Sequence, residues 1–311
     1  MQEKPLVSII TPVYNCESYI ANTIESVLNS IIDISHEYIV VNDGSTDATA
    51  SIAMQFKNQI QYFSQNNGGE SSAVNLGIEK ARGKYILILN ADDPLLTGQL
   101  INKLVPIMES QVSLVAIYPD WQIIDSEGKV MEEIRLPDFS DEIFIGLNHC
   151  LPGPGTIFRR DAAIRIGCRS EEWKYVGDYD FWLRLSRLGE IRHFPEILSQ
   201  WRSSSVSTSV SMRGTDMARE RIKVISDFLV GMPTDFHMRR KALGRAHYLA
   251  ARLVFFDNTI SGRKMLIEGF RIRGGWIEKS NFLVLLYIFL TPLSGWIVKS
   301  LRIPNQMIRI R

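Results

Sequence analysis

Two adjacent carboxylates, Asp92 and Asp93, close the run Tyr85-Ile86-Leu87-Ile88-Leu89-Asn90-Ala91, and Pro94 follows them. An uncharged run of β-formers reads as a strand buried on both faces. Pro94 cannot continue its ladder. Carboxylates at the end of a buried strand are costly to desolvate. A hard cation such as Mg2+ offsets that cost, because it takes one or two carboxylates together with substrate phosphates. The competing reading is a solvated Asp-Asp turn that closes the strand, since Asp is a common turn residue. Asp43 lies in the turn cluster Asn42-Asp43-Gly44-Ser45-Thr46-Asp47, and Asp178 opens the aromatic-rich stretch Asp178-Tyr179-Asp180-Phe181-Trp182.

The elements that must position these groups alternate. Leu6-Val7-Ser8-Ile9-Ile10 is a buried strand ending at Thr11-Pro12, and Ile20, Ile24, Val27 and Leu28 mark one face of a helix. A second strand covers 38–41, and Asp47 is placed to cap a helix over 48–56. A short strand over 60–63 and a helix over 70–81 lead to the central strand. Such alternation is the signature of a parallel, doubly wound sheet, in which ligands sit beyond the carboxyl ends of the strands. Three polar strand ends, Thr11-Pro12-Val13-Tyr14, Asn42-Asp43 and Asn90-Ala91-Asp92-Asp93, therefore converge on one rim. Further on, the pattern predicts a strand over 114–118, a hairpin around Glu127-Gly128, a helix starting at Gly177 or Asp178, and a strand over 197–201. Asp180 and Arg184 have the i,i+4 spacing of a surface pair.

The chain has 311 residues, enough for one large α/β domain and a smaller appendage. With 45% hydrophobic and 22% charged residues it is an ordinary globular chain and not a disordered one. Residues 1–15 show no secretory pattern. Cys16, Cys150 and Cys168 fit no metal spacing and point to a reducing compartment. Residues 1–211 hold 17 Lys and Arg against 27 Asp and Glu; residues 212–311 hold 18 against 7. That break divides the chain into an acidic domain, 1–211, and a basic helical region, 212–311, with helices over 218–230, 239–256 and 263–271. Residues 280–298 are uncharged. That length just reaches the ~20 residues of a membrane span. Pro292 and Gly295 interrupt the segment and Lys279 and Lys299 flank it, so an interfacial hairpin or packed helix pair ranks ahead of a span, with a plain core role as the alternative. The basic region is read as a surface for anionic lipid or another anionic partner, or as a face that docks on the acidic body; no nucleic-acid partner is expected.

Four motifs, Val7-Ser8-Ile9-Ile10-Thr11-Pro12-Val13-Tyr14-Asn15, Val41-Asn42-Asp43-Gly44-Ser45-Thr46-Asp47, Asn67-Gly68-Gly69 with Ala73 and Asn75, and Asn90-Ala91-Asp92-Asp93, resemble family 2 glycosyltransferases, over about residues 5–207. The resemblance implies a GT-A fold: a Rossmann-like, doubly wound, mostly parallel sheet, here with a C-terminal α-helical extension. It implies an inverting transferase that takes a sugar from a nucleotide-diphosphate donor, usually a UDP-sugar, to a carbohydrate or lipid-linked acceptor. It also implies that the nucleotide sugar is met by Thr11, Pro12, Tyr14, Asp43, Asn75, Asn90, Ala91, Asp92 and Arg202. Mn2+ or Mg2+ would lie at Asp92 and Asp93, and Asp178 would be the general base. The spaced cysteines and the basic, apolar tail suggest a cytoplasmic location, peripheral at the inner face of the membrane.

The sequence departs from the family pattern at four positions. Asn90 replaces the first acid of the metal motif, and Val74 stands where an Arg often precedes the Asn. Gly177 replaces a Glu before the base, and Ser204 a His. Asn90, Gly177 and Ser204 favour the alternative of a non-catalytic sugar-nucleotide-binding or scaffold protein on a decayed fold, and the retention of Asp43, Asp92 and Asp178 opposes it. Asp178 read as a simple helix cap is the bland alternative. A nucleotidylyltransferase is disfavoured because no Gly-rich basic loop opens the chain.

Overall fold

The computed structural model describes residues 4–203, 214–230, 232, 235–254 and 259–273. Its first half is a parallel sheet of β1 (Val7–Val13), β2 (His36–Asn42), β3 (Gln61–Ser64) and β4 (Tyr85–Ile88), in the spatial order β3-β2-β1-β4. The connections carry α1 (Ile20–Leu28), α2 (Thr49–Met54) and α3 (Glu70–Lys80). The central strand is shorter than the sequence suggests: pairing stops at Ile88, and residues 91–93 form a turn.

The second half adds α4 (Gln99–Ser110), β5 (Leu114–Ile124), β6 (Val130–Ile134), β7 (Ile157–Arg159), α5 (Arg160–Arg165), α6 (Gly177–Leu185) and β8 (Glu190–Arg202). The periodicity argument missed α4, whose Pro106 reads as a breaker but sits inside the helix. β7 is antiparallel to both β4 and β5, so β5 runs parallel to β4; β8 is parallel to β5. The carboxyl ends of β1, β2, β4, β5 and β8 consequently share one rim, as expected for the three strand ends singled out above.

Successive strand residues face opposite sides. In β4, Tyr85 and Leu87 enter the apolar layer shared with α1 and α4, and Ile86 the layer shared with α3 and α6. Helix α3 lies so close to β1 that a Cβ on Gly77 would come within 2.4 Å of Ile10 Cγ2, which fixes where the start of α3 meets the rim. One buried carboxylate, Glu37, gathers Ser8 Oγ, Gln61 Nε2, and the Arg82 backbone N–H and Nε. Burial alone would raise its carboxyl, and these hydrogen bonds outweigh that and hold it below the usual glutamate range.

The basic region forms α7 (Thr215–Leu229), α8 (Phe236–Val254) and α9 (Thr259–Arg273), near the three helices expected from sequence. Val224, Ile225, Phe228, Leu229, Ala242 and Ala246 belong to the same buried cluster as Phe158, Phe181 and Trp182. One core thus runs from the sheet into α7 and α8. Among the described residues no helix is long and apolar enough to cross a membrane. The 280–298 segment, Ser204 and the division at 211/212 lie outside the described residues.

Phe228 is 6% exposed, with the Arg187 guanidinium 4.4 Å from its ring centroid. Phe228→Ala is expected to cost about 3–5 kcal/mol and to lower one cooperative urea transition that includes the sheet. An undisturbed main transition beside a new minor one would mean that the helices fold apart.

Candidate active site

Three rim loops are zipped together by side chain–backbone hydrogen bonds. In the loop after β1, Asn15 takes a positive φ of 45°. Its N–H donates to Ser45 Oγ at 3.0 Å, and its Oδ1 accepts from Thr46 N at 2.8 Å. Cys16 N donates to Thr49 Oγ1, Ala48 N to Glu17 Oε2, and Thr49 N to Asp47 Oδ1; the N-cap position itself is Ala48, one residue after the Asp47 expected there. Tyr14 stands half-exposed on this platform, above the buried Pro12. Asp43, 2% exposed, then welds the second loop to the third. Its Oδ1 accepts from Gly68 N and Gln65 Nε2, and its Oδ2 from Gly69 N, at 2.7–2.8 Å. A carboxylate has about four acceptor sites, so Asp43 keeps room for one further donor.

The paired acids do different things. Asp93 is 2% exposed; its Oδ1 accepts from Arg202 N at 2.6 Å and its Oδ2 from Asn90 Nδ2 at 3.0 Å. Burial, and then the neighbouring Asp92 charge, push it up to about 7. Asn90 is explained by this contact: an amide donates where a second carboxylate would repel Asp93. Asp92 is half-buried and takes a hydrogen bond from its own backbone N–H. Burial first, then Glu70, raise its carboxyl against the opposing Arg202 charge. Negative potential gathers here: the Cys16 thiol is pushed up to about 12, by burial and then by Asp92, Asp47 and Asp93.

Arg202, expected to meet the ligand, is 3% exposed and works as a clamp beneath the rim. Its Nε donates to Asp92 O, its Nη1 to Asp125 O and Ser126 O, and it lies 4.7 Å from the Tyr19 ring. A cavity of about 430 Å³ opens beside it, lined in part by Ser18, Tyr19, Asn22 and Gln200. Thr11 is fully buried, its hydroxyl 3.0 Å from Tyr38 Oη, and Ala91 is 8% exposed with its carbonyl on Thr23. Asn75 is a staple between elements: its Nδ2 donates to Arg169 O and its Oδ1 accepts from Arg169 N, at 2.8 and 2.9 Å. The side chains of Thr11, Asn75, Asn90, Asp93 and Arg202 are thus engaged within the protein, while Tyr14 and Asp178 are exposed and Asp92 is part-exposed.

Asp178 is solvent-exposed at the start of α6, where its Oδ1 accepts from Tyr179 N at 2.7 Å. Dense surrounding protein raises its carboxyl; Glu70 adds to the rise, and Arg169, Tyr179 N–H and Arg221 oppose it. The starts of α3 and α6 are in contact, for a Cβ on Gly177 would meet Ser71 Oγ at 3.1 Å. A side chain at this position would require Ser71 Oγ to shift by a few tenths of an ångström. Glu70, whose charge reaches both Asp92 and Asp178, is a functional candidate that sequence reading missed, as are Arg169 and Arg221. Glu70 read only as a helix start, and no spacing tied it to Asp178. Asp180 and Arg184 do pair, at 2.5 Å, but they are mostly buried, and Arg184 also binds the carbonyls of Ile166 and Cys168.

The donor set suits a hard divalent cation shared with a ligand. Among the described residues no group of three or more His, Cys, Asp or Glu could hold a metal unaided. A lone, part-exposed carboxylate with raised affinity for protons fits a site completed by substrate phosphates.

The model of the family described as glycosyl transferase family 2 matches residues 8–167. An uncharacterised glycosyltransferase of Rickettsia typhi is 32% identical over 217 residues, 66% of this chain and 66% of its own length. The chondroitin synthase of Escherichia coli is 30% identical over 235 residues, 74% of this chain and 33% of its own. The chain therefore spans about 66% of the Rickettsia relative and a third of the synthase. The S. aureus TarS 1–349 structure in complex with UDP-GlcNAc superposes with a TM-score of 0.68 at 17% identity, covering 91% of this chain and 87% of that one. The chain belongs to the family 2 glycosyltransferases, and its fold is the GT-A fold.

The two acids can be separated experimentally. Asp93→Asn is expected to change stability: Asp93 binds its proton more tightly in the folded state, so its contribution falls as pH rises from about 4 towards 7. Chemical denaturation across that range should show the decline in the parent and a flatter profile in Asp93→Asn. Asp92→Asn removes one of the charges that raise Asp93, so its profile should flatten in part, and it should lose any Mn2+-dependent gain in nucleotide affinity. Parental Mn2+-dependent affinity in Asp92→Asn would remove this residue from the metal site.

Proposed function

We propose that this protein transfers a sugar from a nucleotide-diphosphate donor, a UDP-sugar foremost, to a hydroxyl of a carbohydrate or lipid-linked acceptor, with inversion, in polysaccharide or glycoconjugate synthesis. The observation that carries the reading is Asp178: an exposed carboxylate with raised proton affinity, beside the start of α3 and electrostatically linked through Glu70 to the Asp92 turn. The named activities of the relatives, chondroitin synthesis among them, support the polymer-building class.

In this reading Tyr14 and the zipped first two loops hold the nucleotide, and the remaining acceptor site of Asp43 takes a base N–H. A divalent cation, Mn2+ or Mg2+, held at Asp92 with the diphosphate, would supply charge neutralisation of the leaving group. Asp178 accepts the proton of the acceptor hydroxyl as that oxygen attacks the anomeric carbon from the face opposite the diphosphate. One displacement inverts the configuration. An ordinary Asp has a pKa near 3.9 and is a weak base; its raised value brings Asp178 closer to working pH. A binding-only role on a decayed fold leaves this raised, exposed carboxylate without a task.

We also propose that the basic region meets anionic lipid. On α9, Ile260, Ile267 and Phe270 are exposed beside Lys264 and Arg271. The full chain should sediment with vesicles containing phosphatidylserine and not with neutral ones; equal recovery from both would refute the placement.

Asp178→Asn is expected to lower turnover by about 10²–10⁴-fold and leave donor affinity near parental. A proton acceptor must be ionised, so kcat/KM should rise with pH along a limb lying above the ordinary aspartate value, and Asp178→Asn should lose that limb. Asn caps a helix about as well as Asp, so near-parental turnover would make Asp178 a cap only.

A further inference from the structure

Two arginines lie on the segments packed around the start of α6, one paired with Glu70 at the start of α3 and one on the helix bound to the strap before Gly177. Arg169, in the loop between α5 and α6, is 8% exposed. Its Nη1 donates to Glu70 Oε1 at 2.5 Å, its backbone is held at both N and O by the Asn75 amide, and its buried Nε has no partner. Arg221 is half-buried on α7. The helix that carries it is fastened to the strap that leads into α6. Glu220 accepts from Lys174 N at 3.1 Å and Tyr175 N at 2.8 Å; Lys223 pairs with Glu172 at 2.7 Å and lies 4.6 Å from the Trp173 ring centroid. The strap ends two residues later at Gly177-Asp178, so α7 brings Arg221 to the base.

Arg169 and Arg221 both act on Asp178, while the cation acting on Asp92 is Arg202. Arg221 also acts on His149, Cys150 and Tyr179. Among the described residues neither arginine donates a hydrogen bond to Asp178, whose oxygen is met by Tyr179 N. Asp178 therefore has no ion-pair partner among the described residues, while Arg169 keeps a buried, unpartnered Nε and Arg221 is half-buried on α7. A buried charged donor left unpaired is unfavourable, and the guanidinium fork matches carboxylate and phosphate.

We propose that Arg169 and Arg221 form an oxyanion subsite on the acceptor side of Asp178, so that the acceptor carries a phosphate or carboxylate group near the hydroxyl being glycosylated. The proposal rests on the transferase reading above and narrows its acceptor. The attacked hydroxyl has to lie within hydrogen-bond reach of Asp178, which puts substituents of the same sugar ring next to these two cations. Arg202 keeps its own donors on backbone carbonyls, and the subsite is separate from the Asp92 end of the cleft.

The test uses the full chain, its Arg221→Gln variant and its Arg169→Lys variant, which keeps the charge and loses the fork. The donor is whichever of a UDP-, GDP- and dTDP-sugar panel the parent hydrolyses fastest. Acceptors are methyl β-glucoside, methyl β-glucuronide and glucose 6-phosphate, so that carboxylate and phosphate are compared with a neutral ring. The parent should show a KM about tenfold lower for at least one anionic acceptor than for the glucoside, the worth of one charge-assisted hydrogen bond. Arg221→Gln should abolish that preference and Arg169→Lys weaken it, while the donor Kd stays within about twofold. Calorimetric titration of the same three compounds into the UDP-bound protein gives the comparison without turnover. Equal affinity of the parent for neutral and anionic acceptors overturns the subsite. Lost donor affinity in Arg221→Gln also overturns it, by assigning the cation to the diphosphate. Release of no nucleoside diphosphate from any donor defeats the transferase reading itself, whereas transfer without charge preference defeats the subsite alone.

Discussion

Backbone N–H groups in the loops and at the strand ends have no regular ladder or helix partner, and a buried one without any partner is destabilising. In this protein side-chain carboxylates answer that need repeatedly. Asp43 caps Gly68 and Gly69, Asp93 takes Arg202 N, Glu37 takes Arg82 N, and Glu220 takes Lys174 and Tyr175 N. Each bond ties one segment of chain to another far away in sequence. Asp43 and Asp93 cross-link the loops of the site rim this way, Glu37 the opposite edge of the sheet, and Glu220 the approach to α6. A few acids, Asp92 and Asp178 above all, can stay free only because others hold the frame.

The strands β1, β2 and β4 were legible in the sequence because they are buried on both faces and contain uncharged runs between turn clusters. The rim position of Asp43, Asp92 and Asp178 followed from strand ends and from the family motifs. Individual roles were less legible. Asp92 and Asp93 are adjacent and chemically identical, and only the tertiary position of β8 decides which of them is buried against Arg202. Asn75 and Arg202 are polar residues at the right places for a ligand, yet their partners come from segments about 80–110 residues away. Helix α4 escaped because a proline inside an amphipathic run looks like its end. Glu70, Arg169 and Arg221 escaped because they come from three separate elements, and no sequence spacing joins them.

The charge asymmetry of the chain also takes on structural meaning. The acidic body and the basic C-terminal region share a core through Phe228, Leu229 and Ala242, and pairs such as Lys223 with Glu172 cross between them. Exposed pairs of this kind contribute little stability each. Their effect is placement, because they orient α7 against the strap that ends at Asp178.

The Asn75 amide, which grips Arg169 at both backbone atoms, has a consequence for recombination. It joins the first third of the chain to the approach of α6 with the specificity of a strand pairing, but through a single side chain. A crossover between homologues anywhere from about residue 80 to 165 separates the two partners. Such hybrids inherit a foreign match at this point unless both parents carry the Asn and a compatible loop. Diversification of these two halves by shuffling is therefore constrained as a linked pair, whereas the outer β5–β6 turn, anchored to the rest through carbonyl contacts with Arg202, can be exchanged with far fewer conditions on its sequence.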